Sequence, residues 1–123
     1  MKTAKIKLAA DIEVPIKCDL YVLQEIQDEY ETVVKFEKQL LGIETVMDKD
    51  EEGNDVEKQV LREPKPSAVM FALVSMVREG YAIEGVDMPF KNSRELIASV
   101  TRDYRAIAKD IHNEFRNCFQ IKK

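Results

Sequence analysis

The chain has 123 residues, 45% of them apolar, and a formal net charge of −4, which suits one domain, residues 1–123, around one core. Residues 48 to 57 hold six acids against Lys49, a local charge of −5, so the remainder is near +1 and offers no extended field for nucleic acid or an anionic membrane. No apolar run approaches the ~20 residues of a membrane span, and "MKTAKIKLAA" lacks the continuous apolar middle of a secretion signal, so the expected location is the cytoplasm.

The first element is read from "KIKLAADIEVPIKCDLY". Ile6 and Leu8, then Ile12, Val14 and Ile16, alternate around a reversal at Ala9-Ala10-Asp11. Period two predicts a small β-hairpin with one apolar face. Two strands alone are marginal in water, so a helix has to cover that face. Asp19 is placed to cap such a helix, whose apolar positions Leu23, Ile26, Tyr30, Val33, Val34 and Leu40 fall in steps of three and four. Gly42 is read as its end. Glu25, Asp28, Glu29, Glu31 and Glu37 lie mostly off that stripe and read as a solvated face, not a paired-carboxylate site.

Residues 43–66 form an acidic excursion. "IETVM" and "VEKQVL" flank the turn, and the reading is a second, exposed hairpin, with a chain lacking fixed structure as the alternative. The turn itself, "DKDEEGND", places Asp48, Asp50 and Glu52 ahead of Gly53, as the opening of an EF-hand calcium loop does. Counting onward argues against calcium: the twelfth position is Gln59, where a bidentate glutamate would close the coordination sphere, and Pro64 and Pro66 interrupt the helix that should follow. A solvated turn, with Gly53 and Asn54 supplying the reversal, is expected.

Ser67 is read as the cap of "AVMFALVSMVREG", a helix apolar almost all round, with Gly80 as its stop. "YAIEGVDMPF" is then a loop carrying Tyr81, Ile83, Met88 and Phe90. Asn92 and Glu95 form a capping box for a last helix of ~26 residues, along which Ile97, Val100, Tyr104, Ile107, Ile111, Phe115 and Cys118 repeat at three and four. The fold class expected is mainly α (α+β), with a small N-terminal β-hairpin packed on three main helices.

The motifs that carry chemistry are missing from the pattern. Cys18 and Cys118 have no CxxC or Cys/His ligand spacing and read as reduced, packed thiols. His112, the one histidine, has no nucleophile beside it in sequence. The four glycines form neither GxGxxG nor GxxxxGK[ST], so no phosphate cradle is expected. The expectation is a protein that is not an enzyme, with no cofactor and no metal.

In order of features the chain resembles the tail assembly chaperones of long-tailed bacteriophages, prophages and gene transfer agents. The matching residues are the β start and helix "KIKLAADIEVPIKCDLYVLQEIQDEYETVVKFEKQL", then the apolar helix and loop "AVMFALVSMVREGYAIEG", where such proteins carry a helix ending in glycine, and "TRDYRAIAKDIHNEFRNCF". The excursion stands as a variable insertion. The resemblance implies a small, mostly helical, non-enzymatic protein that coats the tape-measure protein and recruits tail-tube subunits in the bacterial cytoplasm, then is lost from the finished particle. Such a role asks for an exposed apolar surface that a partner helix occupies. The candidates are Met70, Val77, Tyr81, Met88 and Phe90, with self-association expected of the same surface and nucleic acid and membrane excluded as partners. A permanent virion part, such as a tail-completion or head–tail joining protein, is the rival reading.

Overall fold

The computed structural model describes residues 2–119. Its elements are β1 (Ala4–Ala9), β2 (Ile12–Ile16), α1 (Leu20–Tyr30), α2 (Val33–Leu41), β3 (Ile43–Lys49), β4 (Asp55–Leu61), α3 (Pro66–Glu84), α4 (Ser93–Ala98) and α5 (Tyr104–Asn117). The fold is α+β: helices around a central α3, with two separate antiparallel hairpins, β1–β2 and β3–β4.

β1 and β2 pair with Ile6 opposite Val14, and a bulge falls between Lys7 and Ala9. The alternation read from the sequence holds. Ile6, Leu8, Val14 and Ile16 are buried and join the side chains of α3 and α5 in one core. Burying a side chain of this size contributes about 1.5–3 kcal/mol, which is what two strands cannot obtain alone. The hairpin is also tied to the helices through its backbone. Lys17 N–H donates to the Met76 carbonyl at 3.0 Å, and the Leu8 carbonyl accepts from Thr101 N–H at 2.9 Å and Arg102 N–H at 3.2 Å.

All three expected helices differ in their boundaries. The first helix is two. Glu31 takes a positive φ of 68°, and Thr32 then caps α2 by accepting the Lys35 N–H at 3.1 Å. The kink changes the apolar stripe: Val22, Ile26, Phe36 and Leu40 face inward, whereas Val34 is exposed. Gly42, in left-handed conformation, ends α2 as expected.

Gly80 does not stop the apolar helix. It lies buried inside α3, where a Cβ would stand 2.4 Å from the Pro15 carbonyl oxygen, so the glycine is there for close approach of β2 to the helix. The helix runs on to Gly85, whose N–H bonds back to the Ala82 carbonyl. Tyr81 and Ile83 are therefore helical. At the other end the cap is Lys65, with Pro66 in the first turn, and Ser67 lies within the helix.

The long last helix is also two. Asn92 caps α4 through the Glu95 N–H at 2.9 Å, but α4 ends at Ala98. The chain then crosses Leu8, donating both N–H groups named above, and Asp103 caps α5 by accepting from Arg105 N–H at 2.9 Å. The three-four repeat runs through the break because Ile107, Ile111 and Phe115 still face the core.

The excursion is a hairpin of two seven-residue strands, paired without a bulge from Ile43↔Leu61 to Lys49↔Asp55. None of its residues is fully buried. At the tip the Asp50 carboxylate accepts the N–H groups of Glu52 at 2.9 Å and Asn54 at 2.8 Å, and Gly53 supplies a φ of 81°. Asp55 is paired with Lys49 at 2.6 Å.

Candidate functional site

The side of α3 that the hairpin leaves free faces α4. Because α3 is apolar nearly all round, it has more large side chains than β1–β2, α1 and α5 can cover, and the remainder line a groove. Met70, Phe71 and Val74 form one wall, and Ile97 and Ala98 of α4 the other, around a volume of ≈ 770 Å³. A second hollow of ≈ 420 Å³ shares Met70 and Ile97 and extends between Pro66, Val100 and Tyr104. Met70 is 43% exposed at the junction.

The groove has a polar rim with a definite arrangement. Ser75, buried, donates to Glu25 Oε1 at 3.1 Å, and Arg78 binds Glu25 Oε2 at 2.6 Å, so α1 and α3 are pinned along one lip. Arg94 stands on the other lip, exposed and without a carboxylate partner among the described residues. Beyond Glu25 lies Glu79, whose carboxyl is pushed up to about 7 first by its hydrogen bond with Asp19, then by burial and by the charges of Asp19 and Glu25, with Arg78 opposing.

The five surface candidates separate on the fold. Met70 lies in the groove. Val77 is fully buried and belongs to the core cluster, so it is not available as surface. Tyr81, Met88 and Phe90 are half-buried, pack against the core cluster and are not part of the groove's lining. Burial raises the Tyr81 hydroxyl above its ordinary range. Of the groove residues, Phe71 and Val74 were already marked by the all-round apolar pattern, whereas Ile97 read as one more position of a continuous stripe. The break after Ala98 is what frees it. Arg94 left no signal in a region already rich in charge.

Other residues singled out by the sequence have structural partners. His112 Nε2 lies 2.8 Å from Glu37 Oε2 and its ring stacks on Phe115, linking α5 to α2. Cys18 and Cys118, a hundred residues apart, come together at the end of α5. Burial pushes the Cys18 thiol far up and the adjoining Cys118 adds to it, while Cys118 is raised less. Buried Glu114 accepts the Cys18 N–H at 2.8 Å. Glu84 binds Lys5 and Thr3, each at 2.6 Å, which holds its carboxyl below the usual range.

No protein-family model, curated protein or solved structure matches this chain. Among the described residues no helix is long and apolar enough to cross a membrane.

Proposed function

We propose that this protein is a tail assembly chaperone of a long-tailed bacteriophage, prophage or gene transfer agent, acting in the bacterial cytoplasm. In this reading it holds an apolar helical segment of the tape-measure protein in the α3–α4 groove and helps bring tail-tube subunits to it. The observation that carries the reading is the groove itself, with Met70 exposed and Val74 and Ile97 half-buried between two helices, the kind of apolar lining an amphipathic partner helix requires. Arg94, without a carboxylate partner among the described residues, favours a segment with an acidic residue on that side of its apolar stripe, while Arg78 on the other lip is held by Glu25. The protein needs no catalytic group for this work, only surface that can be occupied and released.

The test is calorimetric titration of the chain with helical segments of the tape-measure protein encoded beside it. Met70→Asp and Arg94→Glu should each weaken binding by about tenfold or more while shifting the melting temperature by no more than a few degrees, because both side chains are exposed. Binding unaffected by either change, or none at all, would overturn the groove as the site. Mass spectrometry of purified particles separates the rival: a chaperone is absent from them, whereas a tail-completion or head–tail joining protein is present in stoichiometric amount.

A further inference from the structure

The β3–β4 hairpin has two free edges, and they are not equivalent. The Arg62 N–H donates to the Gly42 carbonyl at 2.6 Å, one step beyond the Ile43↔Leu61 pair, and the Asp50 N–H donates to the Asn54 carbonyl at 3.0 Å at the tip. In an antiparallel ladder bonded and non-bonded pairs alternate. The inward bonds therefore belong to residues 44, 46 and 48 on β3, and Ile43, Thr45 and Met47 turn their N–H and C=O groups outward. On β4 the outward residues are Asp55, Glu57, Gln59 and Leu61. No proline and no bulge falls within either strand, so charge is the device left to blunt these edges: Glu44, Asp48 and Lys49 on β3, and Asp55, Glu57 and Lys58 on β4.

We propose that the β3 edge pairs with the β3 edge of a second copy of this chain, antiparallel about a two-fold axis at Thr45, to form a four-stranded sheet. Charge selects this edge and this register. With Thr45 on the axis, Ile43 lies opposite the partner's Met47 and Glu44 opposite the partner's Val46, so no like charges are opposed from residue 43 to 47. Shifting the axis to Val46 sets Glu44 against the partner's Asp48, and shifting it to Met47 sets Glu44 against the partner's Asp50. On the β4 edge, axes at residues 56, 57 and 58 oppose Asp55 to Glu57, Glu57 to itself and Lys58 to itself within the strand, and axes at 59 and 60 set Glu63, two residues past its end, against Asp55 and Glu57, whereas the Thr45 axis opposes no like charges even when its flanks are included. Like charges directly opposite destabilise a strand pair, whereas apolar and threonine pairs favour it. Antiparallel pairing also keeps the two acidic tips at opposite ends of the four-stranded sheet and not beside each other. Met47, 65% exposed in the single chain, gains the other copy's Ile43 as its cross-strand neighbour. This inference is independent of the chaperone reading.

Sedimentation of the full chain under reducing conditions, across the widest accessible concentration range, tests it. The wild type should show a monomer–dimer equilibrium. Thr45→Pro removes an outward N–H that makes no bond in the hairpin and should weaken association by about tenfold or more. Gln59→Pro removes the equivalent N–H on the other edge and should leave association as in the wild type. If Thr45→Pro alters the circular dichroism of the monomer, Met47→Lys, an exposed charge on the same edge, decides in its place. A wild type that stays monomeric throughout overturns the proposal, as does a dimer that survives the β3 changes or is lost on Gln59→Pro.

Discussion

Two hairpins of nearly equal strand length occupy opposite positions in this protein's energetics. β1–β2 contains Pro15 and a bulge, buries Ile6, Leu8, Val14 and Ile16, and has its backbone taken up by α3 and by the α4–α5 crossing. β3–β4 is paired without a break, buries nothing fully, and touches the body mainly where α2 feeds into β3. The difference shows that strand pairing does not by itself place a hairpin in a core. The first hairpin has apolar residues at matching positions on one face, whereas the second spreads Ile43 and Met47 to one face and Val46, Val56 and Val60 to the other, interleaved with charge.

The contrast can be broken by truncation. Leu8→Ala, at a fully buried position, should cost about 2–5 kcal/mol, and Val56→Ala on the second hairpin about 0.5 kcal/mol or less, both read from chemical denaturation. Comparable losses at the two positions would mean that both hairpins belong to the folding unit. Gly80→Ala is expected to follow Leu8→Ala in size, at about 1–3 kcal/mol, because its methyl group would drive β2 off α3 where the Pro15 carbonyl is closest. Thermal melts with unchanged midpoint would show that β2 can retreat.

A pH experiment sharpens the same seam, where the chain leaves β2 and enters α1. The Glu79 carboxyl, raised to about 7 beside Asp19, binds its proton more tightly folded than unfolded. Its contribution to stability is fully present below the ordinary carboxylate range near 4.5 and is lost as pH rises through 7. The melting temperature of the wild type relative to Glu79→Gln should therefore fall between pH 5 and 8. A constant difference across that window would separate Glu79 from Asp19. The smallest effect belongs to the outer hairpin: replacing residues 46–58 with a short Gly/Ser turn should change stability by about 0.6 kcal/mol, since closure cost varies slowly with loop length. Loss of cooperative unfolding in that variant would contradict the separation drawn here.

Much of the candidate site was written in α3, whose apolar residues outnumber those that one core face can take. What hid the groove was its other wall. Ile97 and Tyr104 continue the spacing of Ile107 and Ile111, so periodicity joins them into one helix, and only the bonds from Thr101 and Arg102 to Leu8 show where the chain is pulled straight. Val77 was misread for the opposite reason: a glycine three residues on signals a helix end by its own conformational freedom, but here it serves a neighbour.

Sequence alone determined the features that arise within a few residues. The period-two hairpin, the Asp19 and Asn92 caps, the Gly42 stop and the Gly53 turn are set by local sterics and by side chains reaching their own backbone. Tertiary structure decided the breaks at Glu31 and Ser99, the passage of α3 through Gly80, the meeting of Cys18 with Cys118 and the direction of Val77. Each depends on groups 50 or more residues apart or on the fit of one element against another, and a backbone amide turned toward a distant carbonyl leaves no trace in side-chain spacing.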